Sequence, residues 1–345
     1  MTNTLRHLLL VAIILITGCS EKKDRLHLFI WSEYLDPNVV ADFERQFDCE
    51  VIIDYHEDQD SMLAKLAAGG DSIYDIVIPA NIDMPFLVNR GLLAPIRKEH
   101  IPNLKNIDPK FENTPFNPGY QYGVPYLWGT TGLYLRKTND QPIDETWGLI
   151  FDPEKQPGPF ILLEDMRACF VAALRYKGYS MNTTNPKELD EAADLLIEAK
   201  KRSLGFEGTI GSRNRVLSKA ASLAMVYNVD AVRGVLQDAE THYFIPREGG
   251  IIYHDMLSIP ARAPHPELAE KFLNFILDPK IGARNANYNR APTPNMAALE
   301  FVNPADRSNP AIYPPSEIMS RLEYIKDVKE KTALYDELWT RIKSR

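Results

Sequence analysis

The stretch 26–79 constrains the fold of this chain most strongly, because strand-like and helix-like patterns alternate along it. Strand candidates lie at 26–30, 51–53 and 74–79, and helix candidates lie between them. The first helix begins at Asp36-Pro37, an N-cap followed by a proline that suits the first helical position. Crossovers between such strands are right-handed and produce a parallel sheet covered by helices. Ligands of these sheets bind at the carboxyl ends of the strands, so a site is expected in the loops there.

The rest of the chain repeats the α/β pattern and is long enough for a second lobe. A new run begins near residue 131, with helix patterns at 165–176, 185–202 and 266–277 and strand patterns at 223–227, 243–246 and 251–259. The C-terminus reads as helical from Ser316 onward. The chain has 345 residues, and one core stops growing at roughly 250–300 residues. We therefore expect an α/β protein of two lobes, hinged around a ligand cleft between them.

The N-terminus reads as an export signal rather than as part of the fold. Arg6 precedes a short apolar run at 8–16, and Thr17-Gly18-Cys19 follows. The run is shorter than the roughly 20 residues that a permanent membrane helix needs. The last residues resemble a bacterial lipoprotein signal, which implies that Cys19 carries acyl chains and becomes the new N-terminus. We expect a signal peptide at 1–18 and a polar tether at 19–25; the alternative is an ordinary cleaved signal with an incidental cysteine.

Composition and motifs argue against several classes of function. The formal net charge is -8 and no block of Lys or Arg is present, so nucleic acid is a poor partner. The chain has no nucleophile elbow, Walker loop, dinucleotide-binding glycine motif or zinc-protease motif, so we expect neither enzymatic activity nor a cofactor. Cys49 and Cys169 are far apart in the sequence and lack metal-site spacing, and we expect two buried free thiols.

Two large aromatic side chains stand where the first strand ends. Trp31 and Tyr34 lie in the segment Trp31-Ser32-Glu33-Tyr34, at a loop position where exposure is wasteful unless they cover something. This segment resembles the first ligand-binding segment of the periplasmic spermidine/putrescine-binding proteins, which are ABC-transporter solute-binding proteins. The resemblance extends over almost all of the chain after the signal, through segments that follow in the family's order: 74–79, 91–96, 102–106, 124–132, 246–250, 273–279 and 292–295.

The resemblance implies a two-lobed periplasmic-binding-protein fold of type II. By the family's pattern, lobe 1 comprises 26–130 plus 256–300, and lobe 2 comprises 131–255 plus 301–345. It also implies a monomer that captures a small organic cation, such as putrescine or spermidine, on the periplasmic side of a bacterial membrane, anchored through Cys19. The implied partner is an ABC permease. The alternative is a membrane-bound sensor protein, because the same fold and pocket serve both roles.

Ligand contacts follow from the resemblance residue by residue. The implied ligand-binding residues are Trp31, Ser32, Glu33, Tyr34, Asp165, Ser212, Tyr227, Asp230, Tyr253 and Asp255. Carboxylates would meet the amines, and aromatic faces would cover the methylenes. Tyr227 and Tyr253 stand where the family usually has Trp. Five further positions carry Ala or Ile where the family has polar or aromatic side chains: Ala80, Ile82, Ala168, Ala291 and Ile325. These departures leave open which polyamine, or which other amine, is the ligand.

Structural roles compete with the ligand-binding roles of several of these residues. Asp165 and Asp230 each stand near the start of a helix, where Asp is a favoured N-cap. Asp255 is different, because an unpaired acid inside an apolar strand is costly, and we expect it to be the main partner of the cation. Ferric iron is a weak alternative ligand, since iron binders of this superfamily use adjacent tyrosines and the chain has no such pair.

Overall fold

The computed structural model describes residues 23–56, 59–114, 116–137 and 142–345. The predicted signal peptide and Cys19 lie outside the described residues. The first strand begins at Asp24, so its first two residues come from the segment predicted as a tether. Within the described part of the chain, no helix is both long and apolar enough to cross a membrane.

Strands and helices alternate along most of the chain. The strands are β1 (Asp24–Trp31), β2 (Cys49–His56), β3 (Ile76–Val77), β4 (Asn113–Thr114), β5 (Asn117–Pro118), β6 (Val124–Arg136), β7 (Phe160–Leu163), β8 (Phe206–Glu207), β9 (Leu223–Tyr227), β10 (Thr241–Phe244), β11 (Gly250–Leu257) and β12 (Leu322–Glu323). The α-helices are α1 (Pro37–Phe47), α2 (Gln59–Ala67), α3 (Met84–Asn89), α4 (Gly148–Phe151), α5 (Met166–Tyr176), α6 (Pro186–Arg202), α7 (Thr209–Leu217), α8 (Asn228–Gln237), α9 (Pro266–Ile276), α10 (Pro279–Asn289), α11 (Pro304–Arg307), α12 (Ser316–Met319) and α13 (Thr332–Ser344). Short 3-10 helices lie at Gly70–Ser72, Asn81–Asp83, Lys98–His100, Pro102–Asn106, Pro109–Phe111, Met296–Ala298 and Lys329–Lys331.

The first lobe is built on a parallel sheet of order β2-β1-β3. Successive side chains of a strand point to opposite faces, and β1 shows this directly. Leu28 packs into one buried cluster with Val39 and Phe43 of α1, while Phe29 packs into another with Met62 of α2. Helices therefore cover both faces of this sheet, as the alternating sequence pattern predicts.

The second lobe is built on a mixed seven-stranded sheet. Its strand order is β12-β11-β6-β9-β7-β8, and β10 pairs with β6 beside that path. The helices α5, α6 and α13 supply the large apolar cluster of this lobe, which includes Phe170, Leu196 and Leu338. Cys49 lies in the first lobe and Cys169 in α5, and both are buried free thiols, which confirms that prediction.

Two long antiparallel strands join the lobes. β6 and β11 pair along most of their length, and every residue of β6 is buried. Where β11 ends, Ser258 pairs with Val77 and Asp255 pairs with Ala80, so this strand reaches the loop that follows β3 of the first sheet. The pairing register shifts between Asp255 and Met256. The protein is thus an α/β protein of two lobes, and the predicted residue boundaries between the lobes stay a prediction.

Two secondary-structure predictions need correction. The segment 74–79 forms a strand only at Ile76–Val77, because just these residues pair with β1. The C-terminal segment is not helical throughout from Ser316, since Leu322–Glu323 forms β12 against β11 before α13 begins. β3 and β12 are each two residues long, and each is a strand only because it pairs with a strand that is distant in the sequence.

Candidate functional site

Several of the predicted ligand-binding residues lie on strands, or directly after strands, at the junction of the two lobes. β1 ends at Trp31 and leads through Ser32 and Glu33 to Tyr34. Tyr253 and Asp255 are two residues apart on β11 and therefore lie on the same side of that strand. Asp165 follows β7, and Tyr227 is the last residue of β9. The candidate site is the cleft onto which these strand ends open, and we call it the inter-lobe cleft.

Asp255 and Tyr34 form the first tyrosine–carboxylate pair of the cleft. The Tyr34 hydroxyl donates a hydrogen bond to Asp255 Oδ2. The Tyr34 carbonyl in turn accepts from the Tyr126 hydroxyl at 2.7 Å and from Asn289 Nδ2 at 3.0 Å. Tyr126 also lies edge-on to the Tyr34 ring, with centroids 5.6 Å apart. The loop after β1 is therefore fixed from two sides, which orients the Tyr34 hydroxyl toward β11.

The Asp255 carboxyl is buried without a cationic partner among the described residues. Its side chain sits in a strand whose neighbours are apolar, and the residue is 6% exposed. Burial raises the pKa of Asp255 to about 7, and the hydrogen bond from Tyr34 opposes part of that rise. A carboxyl in this state favours a positive charge beside it, since burying an uncompensated charge is costly.

Asp165 and Tyr227 form the second tyrosine–carboxylate pair. Tyr227 Oη donates to Asp165 Oδ2 at 2.5 Å. Asp165 Oδ1 accepts from the Ala168 amide at 2.9 Å, so the same side chain is the N-cap of α5. The nearby Arg167 guanidinium is directed elsewhere, to the Lys326 carbonyl and the face of the Tyr335 ring. The capping role and the proposed ligand role thus use different oxygens of one carboxyl.

Tyr253 connects the two pairs. Its ring lies edge-on to that of Tyr227, with centroids 5.1 Å apart and an interplanar angle of 72°. The Tyr253 hydroxyl packs directly over Gly129 of β6, where a Cβ atom would collide with it. Burial raises the pKa of Tyr227 well above its ordinary value, and the charges of Asp165 and Asp255 both add to the rise. The charges of both carboxylates therefore reach the same part of the inter-lobe cleft, beside Tyr227.

Glu33 and Asp230 lie at the rim and have arginine partners. The Glu33 side chain is 71% exposed, and Arg233 Nη1 of α8 lies 3.2 Å from its Oε2. Asp230 stands in the first turn of α8, with Arg213 Nη1 3.5 Å from its Oδ1. Burial raises the pKa of Asp230, and the charge of Arg213 opposes the rise. Each of these two acids therefore has a positive charge beside it, whereas Asp255 has none among the described residues.

The remaining predicted residues differ in their placement. Trp31 is half-buried, and its ring centroid lies 4.4 Å from that of His56 at the end of the neighbouring strand β2. Ser32 is exposed. Ser212 is buried in α7, and its hydroxyl donates to the Glu207 carbonyl at 3.4 Å within the second lobe. Of the ten predicted residues, the structure brings Tyr34, Asp165, Tyr227, Tyr253 and Asp255 together most directly.

Asp83 is a residue of the cleft that the sequence analysis missed. It ends the 3-10 turn Asn81–Asp83 that follows β3, and its pKa is raised to about 7 by burial together with the charges of Asp60, Asp255 and Asp165. The signal was available, because this turn follows the carboxyl end of a parallel strand, where ligands of such sheets bind.

An apolar cavity of about 200 Å³ lies where the turn after β3 meets the segment after β12. Its lining residues are Asn81, Ile82, Pro85, Phe116, Tyr324, Ile325, Lys326 and Asp327. Two of the five departures, Ile82 and Ile325, thus line one cavity between the lobes. Ala168 and Ala291 are buried, at 0% and 2% exposure.

The carboxylates of the cleft are not arranged as a metal site. In the described ranges, no group of three or more His, Cys, Asp or Glu side chains is placed to hold a metal ion. Asp83, Asp165 and Asp255 nevertheless interact electrostatically.

Comparison with known proteins identifies the relatives of this architecture. The sequence profile of the bacterial extracellular solute-binding proteins matches residues 38–311. The spermidine/putrescine-binding periplasmic protein of Salmonella typhimurium is 32% identical over 343 residues, 98% of each chain. A spermidine/putrescine ABC transporter substrate-binding protein from Streptococcus pneumoniae superposes with a TM-score of 0.84 at 26% identity, covering 93% of this chain and 99% of that one. A lipoprotein of Treponema pallidum also gives a TM-score of 0.84, at 25% identity, covering 93% of this chain and all of that one (100%).

Proposed function

We propose that this protein, which belongs to the bacterial extracellular solute-binding proteins, captures a linear polyamine in its inter-lobe cleft for uptake by an ABC transporter. The family is a solute-binding family rather than an enzyme family. The observation that carries the choice of ligand is Asp255, a buried carboxyl with a tyrosine hydrogen bond and no cationic partner among the described residues. An alkylammonium group supplies the missing positive charge.

The polar groups of the cleft include the acceptors that an ammonium group needs. An ammonium carries three N–H donors and no acceptor, so it needs oxygens around it. Asp255 offers a carboxylate oxygen next to the Tyr34 hydroxyl, and Asp165 offers the oxygen that Tyr227 contacts. Hydrogen bonds between ionised partners are about twice as strong as neutral ones. The two pairs together would hold one charged end of the ligand.

The aromatic rings of the cleft can pack against the rest of a polyamine, which is a chain of methylene groups. Tyr227 and Tyr253 form a tilted wall beside the carboxylates, and Trp31 stands half-buried at the end of β1. Ring faces pack against methylenes and attract a nearby cation, with a gain of roughly 0.5–2 kcal/mol for each cation. A neutral sugar would leave the buried carboxyls uncompensated and is not expected to bind.

Location and partners follow as part of the same proposal. Relatives named as spermidine/putrescine-binding periplasmic proteins and as an ABC transporter substrate-binding protein support delivery to a permease. The Treponema relative is named as a lipoprotein, which supports the anchor proposed at Cys19. The protein would then act as a monomer held at the membrane surface by its acyl chains.

A ligand screen with the purified protein tests this proposal. Putrescine and spermidine are compared with glucose by thermal shift and calorimetry. A ligand at about 100 times its Kd stabilises the folded protein by roughly 2.7 kcal/mol, so at least one polyamine should raise the Tm by several degrees. Asp255→Asn should raise the Kd about 10- to 100-fold, since a hydrogen bond to a charged group contributes about 1.5–3 kcal/mol.

Asp278→Asn is the matched control for the loss of one negative charge. Asp278 caps α10 through the amides of Lys280 and Ile281, and Asn retains that cap. Its polyamine affinity should equal that of the wild type. A protein that responds to none of the polyamines, or an Asp255→Asn variant with wild-type affinity, would remove the basis of the proposal.

A further inference from the structure

The turn that carries Asp83 is attached to β11 beside Asp255. Ala80 pairs with Asp255 in an antiparallel bridge, and Asn81 Oδ1 accepts from the His254 amide at 3.1 Å. The 3-10 turn that ends at Asp83 is therefore attached to β11 where that strand lines the cleft. The position of Asp83 next to the cleft follows from these backbone contacts.

Asp83 and Gln59 are partly exposed residues, but three of their polar atoms are buried and have no hydrogen-bond partner among the described residues. Asp83 Oδ2 is withdrawn from solvent and accepts no hydrogen bond from the described residues. In the Gln59 amide, Oε1 likewise accepts no hydrogen bond from the described residues and Nε2 donates none to them. Gln59 lies close enough to lower the pKa of Asp83 slightly, but not in hydrogen-bonding geometry. Native proteins satisfy most buried polar groups, so this cluster calls for a further polar partner.

A structural role does not account for Asp83. It occupies the N-cap position of α3, yet its side chain makes no capping hydrogen bond. Two buried carboxylates elsewhere have an arginine close by: Asp71 contacts Arg262, and Glu270 contacts Arg97. Asp83 has no ion pair within the described residues and is instead surrounded by the negative charges of Asp60, Asp165 and Asp255.

We propose that Asp83 and Gln59 form a second ammonium subsite of the inter-lobe cleft, which binds the far charged end of a linear diamine or triamine. The inference rests on the proposed function, because the first ammonium is placed between Asp255 and Asp165. An ammonium here donates to Asp83 Oδ2 and Gln59 Oε1, two acceptors that receive no hydrogen bond from the described residues. The cleft thereby selects ligands with two separated charges over those with one.

The test compares a diamine with a monoamine of the same length. Calorimetry measures the Kd of putrescine and of butylamine for the wild type and for Asp83→Asn. The loss of a charged hydrogen bond should raise the Kd of putrescine about tenfold or more, while butylamine affinity changes less than about twofold. The ratio of the butylamine Kd to the putrescine Kd should therefore be about tenfold smaller in Asp83→Asn than in the wild type.

Asp60→Asn is the matched control. Asp60 is exposed in the first turn of α2, next to Gln59, and acts on Asp83 only through its charge. This variant should keep the preference for putrescine within about twofold. Gln59→Leu should lower the preference in the same direction as Asp83→Asn, because it removes the second acceptor.

The unliganded proteins distinguish a binding role from a structural one. At pH 8 the unliganded Asp83→Asn variant should have a Tm equal to or above that of the wild type, since it removes an uncompensated buried charge. A lower Tm with an unchanged diamine preference would mean that Asp83 supports the fold, and would overturn the proposal. If the wild type binds neither amine and does not bind spermidine either, the proposed function itself fails; if it binds putrescine and butylamine with equal affinity, only the second subsite fails.

Discussion

At Asp255, two effects act on one carboxyl in opposite directions. Burial favours the neutral acid, and the Tyr34 hydrogen bond favours the carboxylate. The result is a pKa of about 7, so the group is partly protonated at neutral pH. An arriving ammonium favours the ionised form and displaces the proton. Ligand binding and proton release are therefore coupled at this residue.

This coupling predicts that polyamine affinity depends on pH. The amines stay protonated up to about pH 10, so the carboxyl decides the dependence. Below pH 7 each lower unit should raise the Kd about tenfold for Asp255 alone, because the proton competes with the ligand. Above pH 7 the Kd should level off. Calorimetry of putrescine binding from pH 5 to 8.5 measures this, and the total proton release follows from buffers of different ionisation enthalpy.

The control for the pH profile is the Asp255→Asn variant, which should bind weakly and with a shallower slope. Asp83 titrates in the same range and contributes the slope that remains. A wild-type Kd that is constant between pH 5 and 8 would contradict the assignment of a raised pKa to the ligand-binding carboxyl.

Single residues also show what the sequence could and could not predict. Asp255 could be chosen from the sequence as a candidate ligand-binding residue, because an acid inside an apolar strand has no evident structural role. Glu33 stands in the predicted ligand segment, but its contact with Arg233 depends on the other lobe. Asp83 looks like an ordinary helix cap in the sequence, and only the missing capping bond reveals otherwise.

At the scale of elements, α5 depends on the same side chain that faces the cleft. Asp165 caps the helix through Oδ1 and accepts from Tyr227 through Oδ2. The sequence presents capping and ligand binding as competing roles for this residue. The structure allows both, because a carboxylate has two oxygens that point in different directions.

Two substitutions of Asp165 should separate these roles. Asp165→Asn keeps an N-cap acceptor, so the free energy of unfolding should change by less than about 0.5 kcal/mol while the polyamine Kd rises about tenfold. Asp165→Ala should lose about 1 kcal/mol of stability as well as the affinity. Urea unfolding and calorimetry measure the two quantities.

The control is a cap that is not part of the cleft. Asp278→Ala removes the cap of α10 and should cost about 1 kcal/mol of stability with no change in affinity. If Asp165→Asn bound polyamines as tightly as the wild type, Asp165 would serve the helix alone.

Elements with a local signal were predicted well, and those defined by distant pairing were not. The Asp36-Pro37 start of α1 is confirmed, with the Asp36 side chain accepting from the Asn38 amide. β12 has only two residues, and nothing local distinguishes Leu322–Glu323 from a helical turn. Its pairing with β11 depends on how the C-terminal segment crosses the second lobe. Local sequence does not contain that information.

At the scale of the whole molecule, one ion pair spans the two lobes at the rim of the cleft. Glu33 follows β1 of the first sheet, and Arg233 lies on α8 of the second lobe. β6 and β11 also join the lobes. The pair should therefore favour the closed arrangement, although a partly exposed pair contributes only about 0.2–1 kcal/mol.

Reversing one charge of this pair should weaken closure and thereby affinity. Arg233→Glu places two negative charges across the rim, and we expect the polyamine Kd to rise about two- to fivefold, mainly through faster dissociation. Stopped-flow fluorescence of Trp31 measures the rates, and small-angle scattering should show a larger radius of gyration for the unliganded variant.

The double variant Glu33→Arg with Arg233→Glu restores opposite charges and should recover most of the affinity. Arg25→Glu is the control, because it reverses a charge paired with Glu50 within the first sheet and should leave binding unchanged. A double variant no tighter than Arg233→Glu would mean that closure depends on the strands alone.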